Sequence, residues 1–242
     1  MIQAALNGSR RCDAHLGLPC SADELARDAV TCVAAGATEL HIHPRDSDGL
    51  ETLDPLTIYA VCRQVRETAR VPVGVSTGAW IEPDFEKRLF HIRSWFGPDY
   101  ASVNCSEEGA VTVMQTLIAA GIGVEVGIGR PEEIELFARS MLIFSNGVVR
   151  LLVEPDGDEL VDEAAARKRF EAIHSGLDRL GAMNPRLQHT NGPLAWFAVR
   201  DARRRGWDTR IGFEDTLVGP RSKRVTSNVE LVSAAVEIFS RS

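Results

Sequence analysis

An alternation that runs from end to end constrains this chain more than any other feature. Eight short β-rich runs, at 2–6, 39–43, 71–76, 100–104, 123–127, 148–154, 186–189 and 208–213, are each followed by a stretch of helical apolar spacing. The helical stretches are expected at 21–36, 55–69, 83–95, 107–119, 131–142, 159–180, 192–205 and 229–239. The first has its own punctuation: Ser21 and Glu24 form a capping-box pair, Leu25, Ala29, Cys32 and Val33 recur on one face, and Gly36 ends it. Strands that alternate with helices pair in parallel, because each helix is the crossover to the next strand. Eight such units in 242 residues predict one α/β domain, residues 1–242, folded as a closed (β/α)8 TIM barrel. An open dinucleotide-binding sheet is disfavoured, since no G-x-G-x-x-G follows the first run.

Composition narrows the partners. A formal net charge of −7 argues against nucleic acid, whose phosphates need a basic surface. The one basic cluster, Arg203-Arg204-Arg205, falls at a helix end, where it complements the helix dipole. No apolar run approaches membrane-spanning length, and the N-terminus has no signal-peptide pattern. Cys12, Cys20, Cys32, Cys62 and Cys105 are an odd, scattered set without C-x-x-C. Cys32 and Cys62 read as core residues, and the set as a whole suggests a reducing, cytoplasmic setting.

A barrel makes a sharp demand: polar groups at the C-terminal ends of its strands form the active site. Those ends carry Asn7, His41 and His43, Ser76 and Thr77, Asn104, Glu125, Glu154, His189, and Arg210, Glu214 and Asp215. In His41-Ile42-His43 the two imidazoles share one face of a strand, because side chains alternate. Strands two and eight both neighbour strand one in a closed barrel, so Glu214 can reach that pair. Two histidines and a carboxylate with an open position form a catalytic zinc arrangement, one that also suits other divalent metals. His91 and His174 fall mid-helix and are expected at the surface, and Glu125 and Glu154 either meet a substrate tail or pair with Arg130 or Arg150.

Four segments carry a resemblance: Ala5-Leu6-Asn7-Gly8, His41-Ile42-His43-Pro44-Arg45-Asp46, Val75-Ser76-Thr77-Gly78-Ala79-Trp80 and Arg210-Ile211-Gly212-Phe213-Glu214-Asp215-Thr216. Together the chain resembles the β-keto acid cleavage enzymes, the 3-keto-5-aminohexanoate cleavage family, along nearly its whole length. The resemblance implies a (β/α)8 barrel and a reaction in which a β-keto acid and acetyl-CoA exchange fragments, giving acetoacetate and a new acyl-CoA. It also implies a homo-oligomer. By the same resemblance His41, His43 and Glu214 hold Zn2+, and Ser76, Arg210, Asp215 and Glu125 are catalytic. Asp215 is then a base or proton relay, Ser76 a hydrogen-bond partner of reactant oxygens, and Arg210 the partner of a carboxylate. Asn7, Thr77, Asn104 and His189 complete the expected substrate-binding set. The rival reading, a metal-dependent hydrolase of the amidohydrolase type, needs further histidines on strands five and six, which end instead in Glu125 and Glu154.

Overall fold

The computed structural model describes residues 1–142, 145–155 and 160–240. Its eight strands are β1 (Ile2–Ala5), β2 (Glu39–Ile42), β3 (Val73–Ser76), β4 (Tyr100–Asn104), β5 (Gly123–Ile128), β6 (Val148–Val153), β7 (Arg186–Gln188) and β8 (Asp208–Ile211). Every neighbouring pair is parallel, and β8 pairs with β1 to close the barrel in sequence order. The helices are α1 (Ala22–Ala34), α2 (Pro55–Ala69), α3 (Phe85–Arg93), α4 (Ala110–Ala119), α5 (Glu133–Arg139), α6 (Glu163–Arg179), α7 (Ala195–Arg205) and α8 (Asn228–Ser240). This is the (β/α)8 TIM barrel that the alternation predicts.

Local chemistry explains where these elements stop. Ser21 and Glu24 do form the capping box of α1, and Asp54 caps α2 with Pro55 in its first turn. Strand β3 starts at Val73 rather than 71, because Pro72 has no N–H for the ladder. Strand β8 ends at Ile211: the Gly212 carbonyl accepts from the N–H groups of Asp215 and Thr216, which turns the chain. Helix α6 begins at Glu163 under the Asp162 cap; Glu159, where the sequence pattern starts it, lies outside the described residues. The arginines at the end of α7 are tied down: Arg204 and Arg205 pair with Asp201, and Arg203 donates to the Phe239 carbonyl.

The apolar core lies between barrel and helices, where Leu25, Ala29, Cys32, Ile58, Val61, Cys62 and Val65 meet the outward residues of β1 to β3. The barrel interior is polar instead. Gln3 of β1 donates to Tyr100 of β4 at 2.9 Å and to Glu125 of β5 at 2.8 Å. Arg150 of β6 pairs with that same Glu125 at 3.0 Å and with Glu39 of β2. Glu125 is therefore mid-strand and fully buried, a member of this interior network rather than of the mouth of the barrel, which corrects its expected site role. β5 continues to Ile128, three residues beyond Glu125, and the Gln3 and Arg150 side chains hold the carboxylate at that depth.

Two other expectations change. His174 is 2% exposed, not a surface residue. Its Nε2 bonds Gln188 of β7 at 2.9 Å and its ring stacks on Trp207. Cys12 and Cys20 form a disulfide within the loop after β1, while Cys32, Cys62 and Cys105 are buried free thiols. The cysteine pattern thus gives no ground for a reducing compartment. Among the described residues no helix is long and apolar enough to cross a membrane.

Candidate metal centre and active-site cleft

His41 lies within β2 and His43 just past its end, so alternation turns both rings into the barrel mouth, each nearly fully buried. Asn7 fixes the second of them: its side chain donates to the His43 carbonyl at 2.8 Å and accepts from the His43 N–H at 2.9 Å. Glu214 arrives from the turn after β8. Arg10 grips that turn through the Phe213 and Glu214 carbonyls. Gly8 makes room for it: at φ +60°, an added Cβ would fall 2.4 Å from Glu214 Cγ. A left-handed backbone and a close approach both demand glycine here.

The three ligand atoms converge. His41 Nε2 and His43 Nε2 are 3.1 Å apart, and Glu214 Oε2 stands 3.8 and 3.5 Å from them. Ligands about 2.0–2.2 Å from a tetrahedral centre are separated by about 3.3–3.6 Å, so these spacings suit one divalent ion. Glu214 divides its oxygens: Oε1 accepts from Arg210 Nη2 at 2.8 Å, whereas Oε2 is buried without a hydrogen-bond partner. A buried orphan oxygen facing two imidazole nitrogens is a group a cation would satisfy. The donor set therefore fits a divalent metal.

Electrostatics agree. Burial drives His41 well below its ordinary 6.5. Burial acts the same way on His43, but the Glu214 and Glu51 carboxylates outweigh it and lift that ring to about 9. Burial also opposes ionisation of Glu214, yet Arg210, His43 and His41 hold it well below the usual carboxylate range. The site is built for positive charge between carboxylates, and metal binding would displace a proton from it.

Above this centre opens a cleft of about 250 Å³, whose walls include Trp80, Asn104, Glu154, His189, Arg210 and Glu214. A smaller cavity of about 40 Å³ beneath it adds Ser76 and Glu107 beside both metal-centre histidines. Ser76 Oγ accepts from the Gly78 N–H at 3.1 Å, which leaves its proton for another acceptor. Arg210 is clamped by Asp215 at 3.0 Å and by Glu214. His189 Nε2 is 3.2 Å from Glu154 Oε2, and its Nδ1 is 3.1 Å from Asp215 Oδ1. Burial and Arg210 press His189 toward neutrality, but Asp215 and Glu154 prevail and raise it above its ordinary value.

Of the residues expected to form the site, His41, His43, Ser76, Asn104, His189, Arg210 and Glu214 line these two spaces. Four do not line either, Glu125 of the barrel interior among them. Asp215 is fully buried behind Arg210 and His189. Thr77 uses its hydroxyl on the Ser102 carbonyl, and Asn7 holds the His43 backbone, so both act on the walls from behind. The sequence reading missed Trp80, Glu107 and Glu51. Trp80 follows β3 in a segment already singled out, and Glu107 follows the Asn104 strand end. Glu51 had the turn signature of Asp46 and Gly49 before it.

The family described as beta-keto acid cleavage enzyme matches residues 1–148. A 3-keto-5-aminohexanoate cleavage enzyme of Fusobacterium nucleatum subsp. nucleatum is 27% identical over 256 residues, spanning 98% of this chain and 90% of that protein. Among solved structures, the apo structure of ObcA superposes with a TM-score of 0.67 at 14% identity, over 91% of this chain and 61% of that one. Native KDPGal gives 0.59 at 13% identity, over 98% of this chain and 93% of its own. At such identities the two structures bear on the barrel alone. The family match takes in the His41-x-His43 strand and more than half of the chain, and with it this chain belongs to the beta-keto acid cleavage enzymes.

Proposed function

We propose that this protein cleaves a short β-keto acid with acetyl-CoA as the second substrate, releasing acetoacetate and a new acyl-CoA, and that His41, His43 and Glu214 hold the zinc ion it requires. In the overall exchange the C2–C3 bond of the keto acid breaks. Its C1–C2 unit joins the acetyl group of acetyl-CoA, and the remaining acyl group passes to the CoA sulfur. The observation that carries the reading is the unpartnered Glu214 Oε2 facing two histidine nitrogens at the closed end of a cleft, in a chain of this family.

When bound, the cation supplies a Lewis acid that polarises a keto and a carboxylate oxygen. The protein's own groups do the rest. Arg210, with Nε and Nη2 taken by Asp215 and Glu214, turns its remaining guanidinium edge to a substrate carboxylate or to charge that builds on oxygen. Ser76 donates its hydroxyl proton to a reactant oxygen. Asp215 does not touch substrate: it positions Arg210 and stands 3.1 Å from His189 Nδ1, where with Glu154 it favours the protonated ring, and His189 takes up and returns the C2 proton at the cleft wall. Asn104 supplies an amide beside it.

The cleft volume of about 250 Å³ sits just below the usual range for small-molecule sites, about 300–1,000 Å³. It suits a short acid and leaves the nucleotide end of CoA outside. A homo-oligomeric setting belongs to the same reading, and sedimentation of the purified protein tests the oligomer. The function itself is tested by giving zinc-loaded protein a panel of β-keto acids with and without acetyl-CoA. Acetoacetate and acyl-CoA should appear together, and only when both substrates are present. Turnover that ignores the CoA ester would refute it.

A further inference from the structure

The segment from His43 to Glu51 leaves β2 and immediately folds back. Asp46 Oδ1 accepts from the N–H groups of Asp48 and Leu50, Gly49 takes φ +78°, and Arg45 pairs with Glu51 in an antiparallel bridge. Arg45 closes this hairpin through the Gly49 carbonyl and pins it to the loop after β1 through the carbonyls of Gly8 and Arg10. The result of the fold-back is specific. The Glu51 carboxylate returns to the ring eight residues before it, with Oε1 2.5 Å from His43 Nδ1. The Trp80 indole N–H, 3.3 Å from each oxygen, holds that carboxylate from the other side.

Glu51 is only 13% exposed, and a carboxylate withdrawn from water needs donors. One is the Trp80 indole N–H, and the His43 Nδ1–H is the other. A proton fixed on Nδ1 leaves the lone pair of Nε2 directed at Glu214 and His41. His41 has no such support, since its Nδ1 is buried without a hydrogen-bond partner. Of the two rings, only that of His43 is fixed by a hydrogen bond at Nδ1.

We infer that Glu51 is the positioning residue of the metal centre, fixing the tautomer and direction of His43 and strengthening its nitrogen as a ligand, with Trp80 holding Glu51 in turn. This inference rests on the proposed metal centre and adds to it a residue that touches neither metal nor substrate. Outer carboxylates of this kind typically change metal affinity by about 10–100-fold.

The test measures zinc affinity of the full-length protein by competition with a chromophoric chelator, for the wild type, His43→Ala, Glu51→Gln and Trp80→Phe. The wild type should bind one zinc ion and His43→Ala should lose it. Glu51→Gln keeps shape but loses charge, and should weaken binding by about 10–100-fold, with a smaller loss for Trp80→Phe. In the cobalt-substituted protein, Glu51→Gln should also shift the visible ligand-field bands, which a merely structural residue would leave unmoved. If the wild type takes up no zinc, the metal reading falls and this inference falls with it. If the wild type binds, His43→Ala does not, and Glu51→Gln stays within about twofold of wild type with unshifted cobalt bands, the role of Glu51 alone is overturned. Should Glu51→Gln fail to fold, nitrogen NMR of the wild-type zinc form decides the question. A proton on His43 Nδ1 supports the inference, and a proton on Nε2 overturns it.

Discussion

His174 offers a quantitative handle on how the cleft is held in place. It sits on α6 and bonds outward-facing Gln188, the last residue of β7, whose next residue is His189 of the cleft wall. Its Nε2 is held by Gln188 Oε1, and its Nδ1 faces Arg186 at 3.4 Å, so the ring is used as a neutral imidazole. Burial pushes its pKa down to about 3, whereas the unfolded ring titrates at its ordinary 6.5. Between those values the unfolded chain binds a proton that the native state refuses, so stability is lost as pH falls through that window. From about pH 7.5 to about pH 5 the unfolded ring gains roughly 1.5 pH units of protonation free energy, at about 1.36 kcal/mol each, or about 2 kcal/mol. The figure hardly depends on the native value, because native His174 is still neutral at the lower pH. His174→Gln can still donate to Gln188 and carries no titrating ring. It will be less stable at neutral pH through lost stacking on Trp207, yet its stability should fall by about 2 kcal/mol less across this range. Urea unfolding of both proteins at the two pH values measures the difference. Identical pH dependence, to within about 0.5 kcal/mol, would refute a buried neutral His174 and the anchoring of β7 through it.

Two further outcomes follow from the same structure. Burial raises Asp28 to about 6 from 3.8, against the opposing bond from Asn228. Native Asp28 thus holds its proton longer than unfolded Asp28, and stability declines as pH rises from about 4 to about 6. Asp28→Asn should therefore raise stability at about pH 7.5 by up to about 3 kcal/mol in urea titration, with little change below about pH 4. Gly127→Ala would put a Cβ 2.3 Å from Glu154 Oε1 and 2.4 Å from Asn104 Oδ1. Both oxygens would have to retreat by about 1 Å, so kcat/KM on the best substrate of the panel should fall by about 100-fold while zinc affinity stays put. Unchanged kinetics would remove Glu154 and Asn104 from the substrate's path.

The barrel was legible because its signal is repetitive: eight changes of apolar period outvote any error at a single boundary. The convergence of His41, His43 and Glu214 was legible because alternation puts the two histidines on one face, and closure of the barrel carries β8 beside β1. Depth was not legible. Strand periodicity says which residues share a face, but not how far along the axis each one lies. Glu125 was read as a strand end for that reason, and it lies instead three residues below the end of β5, paired with Arg150. Asp215 shows the same limit: adjacent to a ligand in sequence, it is buried behind Arg210 and His189. His174 was misread because a helical polar residue looks solvent-facing until a partner such as Gln188 is found on the strand beneath it. Glu51 needed the hairpin to be folded before its contact with His43 existed at all.

The central claim is tested most directly by a crystal structure of the zinc-loaded protein, with anomalous scattering recorded on both sides of the zinc absorption edge. One peak should appear at the barrel mouth, about 2.0–2.1 Å from Nε2 of His41 and of His43 and about 2.0–2.2 Å from a Glu214 oxygen. A zinc-replete crystal with no peak among those three side chains, or with the ion bound elsewhere, would contradict the account.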